Sequence, residues 1–151
     1  MKLPKIPKSM LRPPKSFKAP KVEHFKEDMQ RLGEDIAEEF KERIIENIEE
    51  NTYGFSIEQA TALRKGNNLP LIDTHEMVDS IYREGTLVSV EDTPRGDTTL
   101  TNKELAIVHE YGVPDRGIPS RPVWRNTFRD FKEEATERVS DFLRTQKFKR
   151  K

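Results

Sequence analysis

The stretch Glu104–Arg125, ELAIVHEYGVPDRGIPSRPVWR, places the tightest limits on how this chain can fold. Leu105, Val108 and Tyr111 recur at helical spacing, Gly112 offers a left-handed C-cap, and Pro114 blocks continuation. A short helix is therefore predicted to stop at Gly112. Ile118–Trp124 is predicted to be extended, because Pro119 and Pro122 fix φ and restrict the residues before them. Arg121 and Arg125 flank Pro122 and Trp124, so their guanidinium groups are held at low entropic cost. Such groups suit bidentate pairing with a carboxylate. The plainer reading is an internal salt bridge that orients the terminal helix; the other is a contact with a neighbouring subunit. Trp124 is read as core first and interface second.

The elements on either side follow from periodicity and caps. Phe25, Met29, Leu32, Ile36, Phe40, Ile44 and Ile48 predict one long helix over His24–Glu50, with a densely acidic opposite face. Ser56–Gln59 reads as a capping box opening a short helix that ends at Gly66. A second box, Asp73–Glu76, opens a helix whose apolar face is Met77, Val78 and Ile81. Thr86–Glu91 alternates as a half-buried strand, Asp92–Asp97 turns, and Thr98–Leu100 is predicted to return as its antiparallel partner. Thr101–Glu104 is a third capping box. A last helix is predicted over Val123–Arg144, with Trp124, Phe128, Phe131, Ala135, Val139 and Phe142 on its core face. These elements predict an α+β fold: a short antiparallel β-sheet packed by a long N-terminal helix and a C-terminal helix, with an extended basic N-terminal arm.

Charge divides the chain into three parts. Residues 1–22 carry seven bases and no acid, and residues 144–151 carry five bases and no acid. The body, 23–143, is left with 15 bases against all 27 acids. An acidic body between a Pro/Lys-rich arm and a basic tail is an electrostatic plan for meeting acidic neighbours, copies of itself included. Prolines at 4, 7, 13, 14 and 20 keep residues 1–22 from forming a helix or central strand, so an extended arm is expected there. Its apolar Leu3, Ile6, Met10, Leu11 and Phe17 suit docking better than spacing, while composition alone fits a disordered tail equally well. Hydrophobic residues make up only 33% of the chain, so either part of it is disordered or its fold relies on partners.

The chemistry-bearing residues are sparse. There are no cysteines, which excludes disulfides, thiolate metal sites and cysteine nucleophiles. His109-Glu110 lacks the second histidine of a zinc-protease helix, and His24 and His75 fall in unrelated elements. No glycine-rich phosphate loop is present. Glu110 with Asp115, or Asp73 with Glu76, could form an acid–base pair, but no nucleophile elbow accompanies them. The chain reads as non-enzymatic, without catalytic residues, cofactor or metal. No run is long and apolar enough for a membrane span.

Three segments, LIDTHEMVDSI (Leu71–Ile81), AIVHEYG (Ala106–Gly112) and IPSRPVWR (Ile118–Arg125), carry a resemblance. In order and spacing the chain resembles the tail-completion and head–tail joining proteins of long-tailed bacteriophages over roughly residues 56–143. Those proteins usually have Gly where His75 stands, and Phe-Leu in place of Val123-Trp124. The resemblance implies a structural virion protein acting at the neck or tail end, built as a ring, commonly hexameric, and stacked on connector, stopper, terminator or tail-tube proteins. It implies assembly in the host cytoplasm, residence in the virion, no membrane, and at most passive contact with DNA in the channel. Lys5, Lys8, Arg12, Lys15, Phe17 and Lys18 of the arm, with Arg121, Trp124 and Arg125, are the expected subunit or ring interface. The rival expectation is a nucleic-acid-binding module or assembly factor that holds phosphates with its basic arms. It lacks a basic recognition helix and stacking aromatics beyond Phe17 and Phe148.

Overall fold

Of the 151 residues, the computed structural model describes 22–66, 68–72, 75–96 and 99–148. The expectations for the arm, including Lys5, Lys8, Arg12, Lys15, Phe17 and Lys18, and for the Asp73-Thr74 cap lie outside the described residues. The fold is α+β. The N-terminal helix α1 (Val22–Glu49) and the C-terminal helix α5 (Val123–Phe148) lie antiparallel, since Phe25 meets Phe142 at 5.7 Å and Phe40 stacks on Phe131 at 6.1 Å. Rim ion pairs Arg43–Glu134 (2.7 Å) and Arg138–Glu39 (2.6 Å) run along the same seam. No glycine or proline interrupts 123–148, so nothing ends α5 at Arg144, and the helix continues into the stretch expected to be tail.

Burial on both helices increases toward one end, where Ile44, Ile48 and Val123 join the core. The buried line of α5 is Val123, Thr127 and Phe131; Phe128, expected inside, is 59% exposed and meets Phe40 edge-on. Thr127 can take the inner place because Asn47 Nδ2 donates to its hydroxyl at 2.9 Å, so its polar atom is satisfied.

A two-stranded antiparallel sheet packs on α1. Strand β1 (Ile81–Glu84) pairs with β2 (Leu87–Val90), Ile81 opposite Val90 and Glu84 opposite Leu87, about a turn at Gly85-Thr86. Of the expected partner, Thr98–Leu100, Thr98 lies outside the described residues, and Thr99 and Leu100 sit in an exposed bend that does not pair with β2; a bridge between Pro94 and Thr101 follows. The periodicity misplaced Ile81 on a helix. Ser80 ends that helix by donating its hydroxyl to the Met77 carbonyl (2.8 Å), and its own carbonyl takes the Glu91 N–H (2.9 Å), so the ladder begins there. Arg83 ties the sheet to α1 through Glu38 (2.6 Å), whose carboxyl is held below its ordinary pKa by hydrogen bonds from Lys41 and then Arg83.

Two further helices are shorter than their caps promised. Helix α2 (Gln59–Lys65) starts three residues after Ser56, with Glu58 at its N-cap and no side-chain cap bond. Residues 55–58 stay out of the helix instead, with Glu58 extended: Asn51 brackets Phe55 with two bonds (2.9 and 3.0 Å), and Arg121 binds the Ser56 carbonyl. Helix α3 (Glu76–Asp79) is a single turn entered through His75 at φ +62°. A side chain in that region costs about 1 kcal/mol, which glycine avoids. His75→Gly is therefore expected to raise stability by about 0.5–1 kcal/mol, read from the urea midpoint; an unchanged or lower midpoint would remove the strain argument.

Candidate functional site

Helix α4 (Asn102–Tyr111) opens on the expected capping box: Thr101 accepts the Glu104 N–H at 3.2 Å, and Glu104 accepts the Thr101 N–H at 2.9 Å. The helix ends at Gly112 with φ +71° and ψ 179°, not in the left-handed helical region that its C-cap position suggested. The chain therefore leaves α4 extended, and Val113 exchanges two bonds with Ile118 (2.8 and 3.1 Å) around a 3₁₀ turn at Pro114–Arg116. Residues 118–122 then run back against the end of α4, where the Arg121 N–H reaches the His109 carbonyl at 2.6 Å and the Ser120 hydroxyl reaches the Glu110 carbonyl at 2.7 Å. Val123 and Trp124, where the proline-rich run and the predicted last helix overlap, are the first turn of α5 and not extended.

This return brings a carboxylate to the start of α5. Glu110, with its side chain only 9% exposed, accepts the Trp124 N–H at 3.0 Å on one oxygen and the Arg125 N–H at 3.1 Å on the other. The second oxygen also takes Arg125 Nε at 2.9 Å, while Arg125 Nη2 donates to the Glu110 carbonyl at 3.0 Å. Arg125 further lies 5.1 Å from the centre of the Tyr111 ring. Helix α5 begins after Arg121-Pro122, without Ser, Thr, Asp or Asn at its N-cap. Glu110 supplies that cap from another helix, where its negative charge also meets the positive end of the α5 dipole.

Of the two arginines singled out in the sequence, Arg125 closes this clamp, while Arg121 binds backbone, with Nη2 3.1 Å from the Ser56 carbonyl. Trp124 is half-buried against the core. The arm residues lie outside the described residues. What sequence reasoning missed is the role of Glu110, weighed only as an acid–base partner of Asp115; its capping partners are 14 and 15 residues away. The usable signal was the helix at Val123 with no cap of its own. Among the described residues no group of three His, Cys, Asp or Glu side chains converges closely enough to hold a metal ion.

His109 is largely buried beside the clamp, its Nδ1 fully so, in a small cavity that also touches Leu71, Ala106, Arg121, Val123 and Trp124. Among the described residues its Nδ1 has no hydrogen-bond partner. Burial, and then the charges of Arg121, Lys65 and Arg95, depress its pKa to about 4. Between about 6.5 and that value the unfolded chain takes up a proton that the folded chain refuses. This contribution is thus intact above about pH 6.5 and lost progressively as the pH falls toward 4, in total about 3 kcal/mol. Urea unfolding across that range is expected to show His109→Gln losing less stability than wild type; parallel profiles would refute the assignment.

Comparison with family models, with curated proteins and with solved structures finds no match for this chain.

Proposed function

We propose that this chain is a structural subunit of a tailed phage or prophage, one member of a ring at the neck or tail end that completes the tail and joins it to the head. The observation that carries this reading is the convergence of the three motif segments on one small cavity beside the clamp. Leu71 of the first, Ala106 and Glu110 of the second, and Arg121, Val123 and Trp124 of the third line a single cavity. Segments that resemble phage joining proteins in sequence thus share a mechanical task, which is to fix the direction of α5 against α4. The clamp is packed and its arginine is held by a structural carboxylate. A rigid subunit that assembles suits that arrangement better than one that turns over a substrate. In this reading the folded bodies form the ring and the basic arms bridge neighbours.

Immunogold electron microscopy on particles from the producing lysate tests the proposal. Label is expected at the head–tail junction. Absence from particles would reject it and favour the rival in which basic arms bind nucleic acid.

A further inference from the structure

The outer edge of β2 lines an apolar groove, half-buried at Val88 and buried at Val90. Glu91 donates to Ser80, and the pairs 82–89 and 84–87 share that parity in the ladder. The N–H and C=O groups of Val88 and Val90 therefore point away from β1, and among the described residues no other strand pairs with them. A groove of about 270 Å³ runs along this edge, walled on the far side by α4 and the start of α5 through Ala106, Ile107, Tyr111 and Trp124. Ile107 is 51% and Tyr111 64% exposed. A strand edge facing a helix across an apolar groove is the geometry that accepts an extended peptide as an added strand.

The ends of β2 define what that peptide carries. Glu84 stands at one end and Glu91 and Asp92 at the other; all three are exposed and unpaired among the described residues. Of the cations lining the groove, Arg125 is held by Glu110, and Lys103 is exposed. Three carboxylates against one lysine favour a basic segment with an apolar centre.

The N-terminal arm contains such a segment. It holds two tandem seven-residue units, Pro7-Lys-Ser-Met-Leu-Arg-Pro13 and Pro14-Lys-Ser-Phe-Lys-Ala-Pro20, each enclosing five residues without proline. Only the first has a base at both ends of its proline-free stretch, Lys8 and Arg12, with Met10 midway. In an extended strand these three share one face, and Lys8 to Arg12 spans about 13 Å. Leu87 to Glu91, also four residues apart, covers about the same length.

We propose that Lys8–Arg12 of a neighbouring copy adds to β2 as a third strand, with Met10 in the groove against Tyr111 and Ile107, and Lys8 and Arg12 at the carboxylates. That the arm comes from a neighbour rests on the ring reading; the fit of segment to groove does not. The absence of cysteine makes the test direct. Full-length Met10→Cys and Ile107→Cys proteins are mixed at high concentration under mild oxidation, with Phe17→Cys in place of Met10→Cys, or Leu63→Cys in place of Ile107→Cys, as comparisons. The Met10→Cys with Ile107→Cys disulfide is expected to form on the order of tenfold faster than either comparison, because docking raises the local thiol concentration. Equal rates would overturn the docking, and faster reaction of Phe17→Cys would overturn the chosen segment. In the doubly substituted chain at high dilution, rapid cross-linking within one molecule would overturn the assignment to a neighbour. None of these outcomes depends on where the protein sits in a particle, so the proposal can fail while the neck reading stands, and the reverse.

Discussion

Replacing Glu110 with alanine is expected to lower stability by about 3 kcal/mol, the sum of two helix-start amides left without an acceptor and a severed charge-assisted pair. The carboxylate is buried, whereas Arg125 is 58% exposed. Solvent screens the ion pair from the Arg125 side, so the capping bonds to the Trp124 and Arg125 amides carry most of the effect. Three variants separate the contributions. Glu110→Gln keeps one acceptor oxygen and is expected to cost about 1–2 kcal/mol, while Arg125→Ala leaves the capping bonds and is expected to cost about 1 kcal/mol or less. Urea midpoints should therefore fall in the order Arg125→Ala, Glu110→Gln, Glu110→Ala, the last being lowest. If Arg125→Ala proved as damaging as Glu110→Ala, the role would belong to the ion pair and not to the cap.

What the sequence made legible here was whatever rests on local periodicity. The long helix α1 needs only its three- and four-residue apolar spacing, and the Thr101–Glu104 box closes within one turn, so both could be read directly. Ile81 shows the limit. Its place three residues after Val78 satisfies a helical face, but its burial opposite Val90 is set by a strand pairing that local spacing does not encode. Ser56 shows a second limit: a capping pattern stays unused because Asn51 holds Phe55 and Arg121 holds the Ser56 carbonyl outside the helix. The clamp lay half within reach. Arg125 was identified as a rigid cation awaiting a carboxylate, but the choice of Glu110 depends on a loop that reverses the chain and places residues 14 and 15 apart in contact.

That reversal depends on Gly112, and Gly112→Ala is expected to cost roughly 3–5 kcal/mol, a large share of the stability of an ordinary domain. Two effects add. The residue's φ of +71° with ψ of 179° falls in a region essentially restricted to glycine. A Cβ there would also lie 2.7 Å from the Ile118 oxygen, 2.7 Å from the Ser120 nitrogen and 2.9 Å from the Pro119 carbonyl carbon. All three are backbone atoms, so no rotamer change relieves the clash. Moving that backbone would strain the Val113–Ile118 pairing and the bond from the Arg121 amide to His109, and Pro119 removes one of the soft torsions that could absorb the shift. Gly117 provides the comparison: its φ is +67°, but a Cβ built on it meets nothing within 4 Å. Gly117→Ala should therefore cost only the torsional share, about 1 kcal/mol. A large gap between the two, measured by thermal or urea unfolding, would separate close approach from backbone torsion. Similar small losses at both sites would mean that the returning loop yields easily, and the rigid seating of α5 on α4 would have to be abandoned.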